Sequence, residues 1–173
     1  MINQTENNFL DLSKLFSGET REIAFDLDAL SFPDWDQEIA VSSLRFSGAA
    51  KEILDSHRLI GTVSGVFSAP CGRCLAPVES AFSIEIDFSI VTSLDDTMED
   101  VVLAEGQKID LGAVAEETVL LHLPFRLLCR EDCKGLCPVC GKDMNLSPCD
   151  CDTKEIDPRL AGLKDFFKNK QDS

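Results

Sequence analysis

Hydrophobic and polar residues alternate through much of the first half of the chain. In "REIAFDLDAL", Ile23, Phe25 and Leu27 fall on one side of the segment, with charged residues on the other. Residues 78–91, "VESAFSIEIDFSIV", alternate more regularly, with Phe and Ile against Ser, Glu and Asp. A period of two is typical of a β-strand with one buried face. The pattern therefore predicts an antiparallel strand-rich body over about residues 20–92.

Two further segments are strand-like but less regular. "EIAVSSLRFSG" alternates imperfectly, and "LIGTVSGVFSA", residues 59–69, is rich in β-branched residues and contains glycines that suit a bend. Cys71 and Cys74 follow the second of these segments directly, and the strand at 78–91 comes next. We therefore predict that the "CGRC" pair lies at the tip of a β-hairpin. Before the strands, residues 1–20 hold a short apolar group that indicates a brief helix or a docked segment.

The period changes to that of a helix after the strand region. In "IDLGAVAEETVLLHLPF", apolar residues recur every three or four positions, Asp110 can cap the start, and Pro124 marks the end. This predicts a helix over about 110–123. The acidic residues of 95–105 predict a solvated loop before it, with one short strand at the end of that loop.

A second amphipathic helix is predicted near the C-terminus, where Asp157 and Pro158 have the residue types of a helix start. The elements together predict an α+β fold, in which an antiparallel strand-rich body carries one or two packed helices and a C-terminal Cys-rich zinc-binding region. We expect the body to cover residues 1–128 and the zinc region with the last helix to cover 129–173. The two parts are expected to form one integrated domain.

Composition narrows the class of protein. The chain has 173 residues, of which 44% are hydrophobic and 27% are charged, as in an ordinary globular protein. No apolar run has the length of a membrane span, and the start "MINQTENNFL" does not resemble a signal peptide. We expect a cytoplasmic protein without a membrane partner. The sequence has no nucleophile elbow, phosphate-binding glycine loop or dinucleotide-binding fingerprint, so we expect neither an enzyme nor a small-molecule substrate.

Charge divides the chain into two unequal parts. The formal net charge is -15, and residues 1–128 carry 22 acidic against 8 basic residues, a net charge of -14. Residues 129–173 carry 9 acidic against 8 basic residues, a net charge of -1. Direct RNA binding needs basic side chains near the phosphates. The candidates for RNA contact are therefore four basic residues near the C-terminus: Arg159, Lys164, Lys168 and Lys170.

Eight cysteines carry the strongest chemical signal. They are Cys71, Cys74, Cys129, Cys133, Cys137, Cys140, Cys149 and Cys151. Thiols stay reduced in the cytosol, so paired cysteines there are more often metal ligands than disulfides. The segment "CPVCG" is the best example, because its short spacing places two thiolates on one turn and its glycine permits a positive φ. Eight thiols are also enough for two four-cysteine zinc sites.

The eight thiols can be divided between two zinc ions in two ways. In the first, the last four cysteines form a local site with the spacing C-x2-C-x8-C-x-C, and the first four form a long-range site. In the second, Cys71 and Cys74 meet Cys137 and Cys140 as two zinc knuckles face to face. The spacing permits both partitions, and it also permits a single metal ion with some cysteines left free.

Other chemistries of the thiols are weaker interpretations. An iron–sulfur cluster, packed thiols and a redox dithiol at Cys71 and Cys74 are the alternatives, but paired knuckles favour zinc. A redox CxxC usually opens a helix, whereas a second strand follows this pair. A catalytic zinc usually keeps an open position and often has His or carboxylate ligands. We expect His57 to face solvent and His122 to be structural, so the expected metal is a structural Zn²⁺, one or two per chain.

Four segments together resemble the YceD family, which is named for large ribosomal RNA subunit accumulation. They are "CGRCLAPVES", "IDLGAVAEETVLLHLPF", "LCREDCKGLCPVCGKDMN…CDC" and "DPRLAGLKDF", and they keep their order from about residue 60 to 167. The resemblance implies a noncatalytic role in 23S ribosomal RNA accumulation, through processing or large-subunit assembly. It also matches Cys71 and Cys74 to the first CxxC of the family. The cysteine-rich segment of the longer members is matched by Cys133, Cys137, Cys140, Cys149 and Cys151.

Two main hypotheses of function follow, with a third behind them. In the first, the protein acts on ribosomal RNA or a pre-ribosomal particle through its cysteine-rich region and basic C-terminus. In the second, it is a zinc-stabilised adaptor whose acidic body binds a basic partner, such as a ribosomal protein. The third is a dithiol redox protein. Direct RNA binding weakens with added salt and with loss of the basic residues, which separates the first hypothesis from the second.

Overall fold

The computed structural model describes residues 8–30, 39–93 and 100–152. Its elements follow the chain in this order: β1 (Phe9–Asp11), α1 (Ser13–Phe16), β2 (Glu22–Leu30), β3 (Ala40–Ile53), β4 (Ser56–Pro70), β5 (Pro77–Val91), β6 (Val101–Leu103), β7 (Lys108–Asp110) and α2 (Leu111–Leu121). The strand-rich body and the helix after it, both predicted from the sequence, are confirmed. The short strand predicted at the end of the acidic segment is β6.

The large sheet has five strands in the order β2-β3-β4-β5-β6. Strands β2 to β5 are antiparallel neighbours, so segments that follow one another in sequence also lie side by side. Strand β6 instead runs parallel to β5, with Val102 opposite Ile90. The sheet is therefore mixed: the antiparallel body predicted over about residues 20–92 is confirmed in β2 to β5, and β6, which lies beyond those bounds, adds a parallel edge. A strand of three residues carries too little alternation to show its direction.

The hairpin of β4 and β5 is the longest feature of the sheet. Its pairing runs without interruption from Arg58 opposite Ser89 to Pro70 opposite Pro77. Gly65 leaves room for an aromatic ring of the neighbouring strand, because a Cβ at this position would lie 2.8 Å from the ring of Phe82. The pairing ends where residues 71–76 begin, so the predicted hairpin tip is confirmed.

One face of the large sheet packs against a second layer made of β1, β7 and the two helices. Strands β1 and β7 pair as a small antiparallel sheet, with Leu10 opposite Ile109. Both layers contribute to a single core cluster. Its largest fully buried side chains come from the large sheet and from the second layer: Phe46, Leu59, Val63, Leu12, Leu15, Ile109, Leu111 and Val119.

Helix α2 begins as the sequence predicts and ends slightly earlier. The carboxylate of Asp110 accepts hydrogen bonds from the backbone N–H groups of Gly112, at 2.9 Å, and Ala113, at 3.1 Å. The helix ends at Leu121, whose side chain is 76% exposed, and the residue before Pro124 is already outside it. Among the helices of the described ranges, none has both the length and the apolar character needed to cross a membrane.

Several predictions concern residues outside the described ranges. They include the C-terminal helix beginning at Asp157 and the acidic positions 95–99. The four candidate RNA contacts also fall there: Arg159, Lys164, Lys168 and Lys170.

Candidate metal centres

The tip of the β4–β5 hairpin holds the first pair of thiols. The backbone N–H of Cys71 donates to the carbonyl of Ala76 at 2.7 Å, and the N–H of Leu75 donates to the carbonyl of Cys71 at 3.0 Å. These bonds close a tight turn in which Leu75 has a positive φ of 62°. The turn buries the side chains of Cys71 and Cys74 on the inner side of the tip.

The second pair of thiols reaches the tip because the chain after α2 is hydrogen-bonded to it. The N–H of Gly72 donates to the carbonyl of Leu127 at 2.9 Å, and the N–H of Leu136 donates to the carbonyl of Arg73 at 3.0 Å. The guanidinium of Arg73 in turn donates to the carbonyl of Cys133 at 2.8 Å. A segment about sixty residues downstream is thereby fixed against the tip, since Cys133 lies 62 positions after Cys71.

Four sulfurs converge at this place, and we name them the first tetrad: Cys71, Cys74, Cys129 and Cys133. The Sγ atoms of Cys71 and Cys133 are 3.9 Å apart, and those of Cys74 and Cys129 are 3.6 Å apart. A tetrahedral zinc with Zn–S bonds of about 2.3 Å separates its sulfurs by about 3.8 Å. A disulfide requires about 2.05 Å, and all eight cysteines are free thiols. The sulfur spacing therefore fits a tetrahedral metal ion.

The remaining thiols form a second tetrad: Cys137, Cys140, Cys149 and Cys151. In each tetrad the four sulfurs lie within 4.8 Å of one another. The "CPVCG" turn is closed by the N–H of Cys137, which donates to the carbonyl of Lys142 at 2.8 Å, and by the N–H of Gly141, which donates to the carbonyl of Cys137 at 2.9 Å. Gly141 has a φ of 70°, the positive value that the sequence pattern predicts.

The surroundings of the first tetrad lower the pKa of some of its thiols and raise the pKa of others. The backbone N–H of Cys129, whose nitrogen is 3.4 Å from Cys71 Sγ, and that of Cys74 lower the pKa of the Cys71 thiol to about 6. The contact with the Cys133 thiol, followed by burial, raises the pKa of Cys129 to about 12. A divalent cation would resolve this conflict, because it would stabilise all four thiolates at once.

The second tetrad shows the same division. Hydrogen bonds from the backbone N–H groups of Cys140 and Val139 lower the pKa of the Cys137 thiol to about 6. The contact with the Cys140 thiol, followed by burial, raises the pKa of Cys151 to about 12. Each tetrad thus combines a readily ionised thiol with one that needs a neighbouring positive charge to ionise. Four thiolate donors of this kind favour soft metal ions over hard ones such as Mg²⁺ and Ca²⁺.

The grouping of the sulfurs corresponds to the first of the two partitions that the sequence permits. Cys71 and Cys74 face Cys129 and Cys133, and the knuckle beginning at Cys137 belongs to the other tetrad. The histidines take no part in either group. His57 packs against the ring of Phe16, and Nδ1 of His122 lies 2.8 Å from the carbonyl of Thr118.

Sequence reasoning missed Asn145, which contacts the first tetrad. Its side-chain nitrogen lies 3.4 Å from Cys133 Sγ. Burial acts to raise the pKa of Cys133, but the hydrogen bonds from Asn145 and from the backbone N–H of Gly135 help to outweigh it, and the pKa is lowered. In the sequence Asn145 is only an Asn between two cysteine pairs. The spacing of those cysteines does not predict the course of the loop that contains it.

The fold and the two tetrads define a strand-rich protein with two four-cysteine centres that can hold metal ions. The chain belongs to the family described as large ribosomal RNA subunit accumulation protein YceD, whose model matches residues 59–167. The match begins inside β4 and includes all eight cysteines. The resemblance seen in the sequence is therefore confirmed.

Relatives occur in bacteria and in plants. The chain is 32% identical to the uncharacterized protein YlbN of Bacillus subtilis over 77% of this chain and 79% of the relative. It is 36% identical to an uncharacterized protein of Mycobacterium tuberculosis over 65% of this chain and 56% of the relative. The large ribosomal RNA subunit accumulation protein YCED homolog 1, chloroplastic, of Arabidopsis thaliana is 30% identical over 39% of this chain and 22% of the relative. No solved structure gives a significant match.

Proposed function

We propose that this protein is a noncatalytic ribosome-biogenesis factor that supports the accumulation of 23S ribosomal RNA. Membership of the YceD family is the observation that carries the proposal, since the family is described by large ribosomal RNA subunit accumulation. The step is processing of the RNA or assembly of the large subunit. The all-cysteine composition of both tetrads supports a noncatalytic role, because four thiolate ligands leave a zinc ion no open position for a substrate.

We further propose that each tetrad holds one structural Zn²⁺. In the first tetrad, the ion would join the hairpin tip to the chain that follows α2. In the second, it would close the loop between Cys140 and Cys149. Elemental analysis of protein purified without added metal is expected to give two zinc ions per chain. A folded chain without metal would contradict this part of the proposal. Detection of iron and inorganic sulfide would mean that the cysteines hold an iron–sulfur cluster and not zinc.

The ribosomal role is tested in a strain that lacks the gene. The ratio of 23S to 16S ribosomal RNA is expected to fall and to be restored by the wild-type gene. An unchanged ratio in the deletion strain would contradict the proposal. Expression of a Cys74→Ser variant in the deletion strain tests the role of the metal. If this variant loses metal, fold and complementation together, the metal is structural. Loss of complementation with metal and fold retained would instead support the dithiol redox alternative.

Direct contact with ribosomal RNA or a pre-ribosomal particle is the favoured mode of action. The basic C-terminal residues support it, because residues 129–173 are nearly neutral beside the acidic remainder. Neutralising Lys164, Lys168 and Lys170 to Gln is expected to weaken RNA association and to reduce its salt dependence. The matched control neutralises three lysines of the body: Lys14, Lys51 and Lys108.

An adaptor for a basic protein is the second candidate, and the net charge of -14 on residues 1–128 favours it. In this mode the partner is a ribosomal protein, and RNA is reached through that protein. Capture of the partner would weaken when acidic residues of the body are neutralised, while the C-terminal lysine variant would behave as wild type. The adaptor hypothesis is supported if RNA association persists when the C-terminal lysines are neutralised but is lost when the acidic residues of the body are neutralised.

A further inference from the structure

Asn145 lies in the loop of the second tetrad but contacts a cysteine of the first. It lies in the loop between Cys140 and Cys149, the loop that the second tetrad closes. Its side-chain nitrogen nevertheless lies 3.4 Å from the sulfur of Cys133, a member of the first tetrad. Asn145 is half-buried at this position. One side chain thus joins the loop of the second tetrad to a sulfur of the first.

The orientation of this amide is determined by its neighbours. Oδ1 of Asn145 accepts a hydrogen bond from the backbone N–H of Lys134 at 2.8 Å and another from Arg130 at 2.8 Å. Both partners can only donate, so the oxygen must face them and the NH₂ group must face Cys133. The carboxylate of Asp143 accepts a second hydrogen bond from the NH₂ group of Asn145, with a nitrogen–oxygen distance of 2.7 Å. The amide therefore presents a hydrogen-bond donor to the sulfur.

The backbone adds further links between the loop and the first tetrad. The N–H of Met144 donates to the carbonyl of Gly135 at 2.9 Å, two residues after Cys133. The N–H of Asn145 donates to Asp143 at 2.8 Å, which holds the turn in shape. The two ends of the loop are held by cysteines of the second tetrad. An ion bound there restricts the loop and reduces the conformational entropy that Asn145 loses when it reaches Cys133.

We propose that Asn145 is a positioning residue that couples the two tetrads, so that metal in the second tetrad raises the metal affinity of the first. The coupling rests on the proposed binding of metal by both tetrads. A hydrogen bond to a ligating sulfur stabilises the thiolate and orients it. By linkage the effect is reciprocal, and a filled first tetrad raises the affinity of the second by the same factor.

The test compares Asn145→Asp with Leu146→Asp in the full chain. Both variants add one negative charge to the same turn, but the side chain of Leu146 is 85% exposed. Aspartate at 145 keeps the acceptor for Lys134 and replaces the donor with an oxygen beside the sulfur. The Zn²⁺ affinity of the first tetrad, measured by chelator competition, is expected to fall roughly ten- to hundredfold. Leu146→Asp is expected to change it by less than about threefold, as a solvated surface charge does.

A double-mutant cycle tests the coupling itself. Emptying the second tetrad with Cys149→Ser and Cys151→Ser is expected to lower the Zn²⁺ affinity of the first tetrad. The cycle uses Asn145→Ala, which removes the donor without adding a charge. The combined loss is expected to be smaller than the product of the two separate losses, because the second tetrad acts on the first through this side chain. Effects that multiply independently would overturn the coupling, and an unchanged affinity in Asn145→Asp would overturn the role of Asn145.

Wild-type protein provides a measure that needs no cysteine variant. The metal-depleted chain is titrated with Co²⁺, whose thiolate charge-transfer absorption counts the filled tetrads. Coupling predicts that the two tetrads fill cooperatively, whereas two independent saturation curves would overturn the coupling and leave the proposed metal sites intact. A wild-type chain that binds neither Zn²⁺ nor Co²⁺ would overturn the proposed sites and the coupling together.

Discussion

The two tetrads contain the same four ligands but lie in very different parts of the molecule. The first joins a hairpin tip to residues 55 to 62 positions away, and Cys71, Cys74 and Cys133 are buried. The second lies within fifteen consecutive residues, 137–151, and only Cys137 is buried. The difference teaches that identical donor sets can contribute unequally to stability, because closing a long segment removes more entropy from the unfolded chain than closing a short one.

The packing around the tetrads leads to the same expectation. Three cysteines of the first tetrad, Cys71, Cys74 and Cys133, form a buried cluster with half-buried hydrophobic residues that include Val78 and Leu128. Val78 also packs on the main core. If the first tetrad holds a metal ion, losing that ion would therefore disturb the hairpin and the chain after α2 together. Residues around the second tetrad are largely solvent-exposed, with Val139 at 63% and Leu146 at 85% exposure. That part can open locally without exposing the core.

The largest effect is expected for Cys71→Ser, which removes a fully buried ligand of the first tetrad. We expect the free energy of unfolding to fall by at least about 4 kcal/mol, because loss of a structural metal is among the most destabilising changes. Urea denaturation gives the stability, and elemental analysis gives the metal content, which should drop by at least one ion. A variant that loses the ion but keeps wild-type stability would remove the distinction between the tetrads.

Cys149→Ser makes the corresponding change in the second tetrad. We expect loss of its ion and a reduction in the free energy of unfolding of about 0.5 to 3 kcal/mol, the usual range for a single substitution, because only a short local loop loses its closure. The core should remain folded, since the opening is local. Limited proteolysis is expected to cut first within residues 137–152. A loss of stability equal to that of Cys71→Ser would contradict the unequal contributions.

Two glycines allow the comparison to be made without touching a ligand. Gly135 has a φ of 75° and Gly141 a φ of 70°, so alanine is strained at both positions. A Cβ at Gly135 would lie 2.9 Å from the carbonyl oxygen of Arg73 at the hairpin tip, whereas a Cβ at Gly141 meets nothing within 4 Å. We expect Gly135→Ala to cost about 2 kcal/mol and Gly141→Ala about 1 kcal/mol, measured by urea denaturation.

The outcome of the glycine pair has a clear control. Gly18 has the same φ of 75° as Gly135, has open space around its Cβ position, and lies far from the cysteines in sequence. Gly18→Ala should cost as little as Gly141→Ala. If all three variants lost the same stability, the close approach of position 135 to the hairpin tip would add nothing to the cost of an alanine there.

Local patterns made much of the fold predictable. Strand β5 and helix α2 were readable because each has one buried face, with a period that few other structures share. The hairpin tip followed from two long strands on either side of Cys71 and Cys74. Strand β1 was not predictable in the same way. It has three residues, and its partner β7 lies about a hundred residues later in the sequence.

The candidate site was predictable in its residues but not in its arrangement. All eight cysteines were recognised from their types and spacing, yet both partitions satisfied that spacing. The choice is made by tertiary contacts, such as the hydrogen bond between Leu136 and Arg73, which no local pattern encodes. Asn145 was missed for the same reason. Its role depends on the direction of one amide across two loops, and an isolated Asn in a turn is ordinary.

An effect as small as that of Gly141→Ala is expected for Asp110→Ala, which removes the cap of α2 and touches neither tetrad. Its carboxylate accepts two hydrogen bonds at the start of the helix, so we expect a loss of about 1 kcal/mol in the free energy of unfolding, measured by urea denaturation. Asp110→Asn retains an acceptor and should recover most of that loss. Both variants should keep the wild-type metal content. Metal loss in Asp110→Ala would mean that the tetrads depend on the stability of the whole body, and the contrast between a long-range and a local centre would then lose its basis.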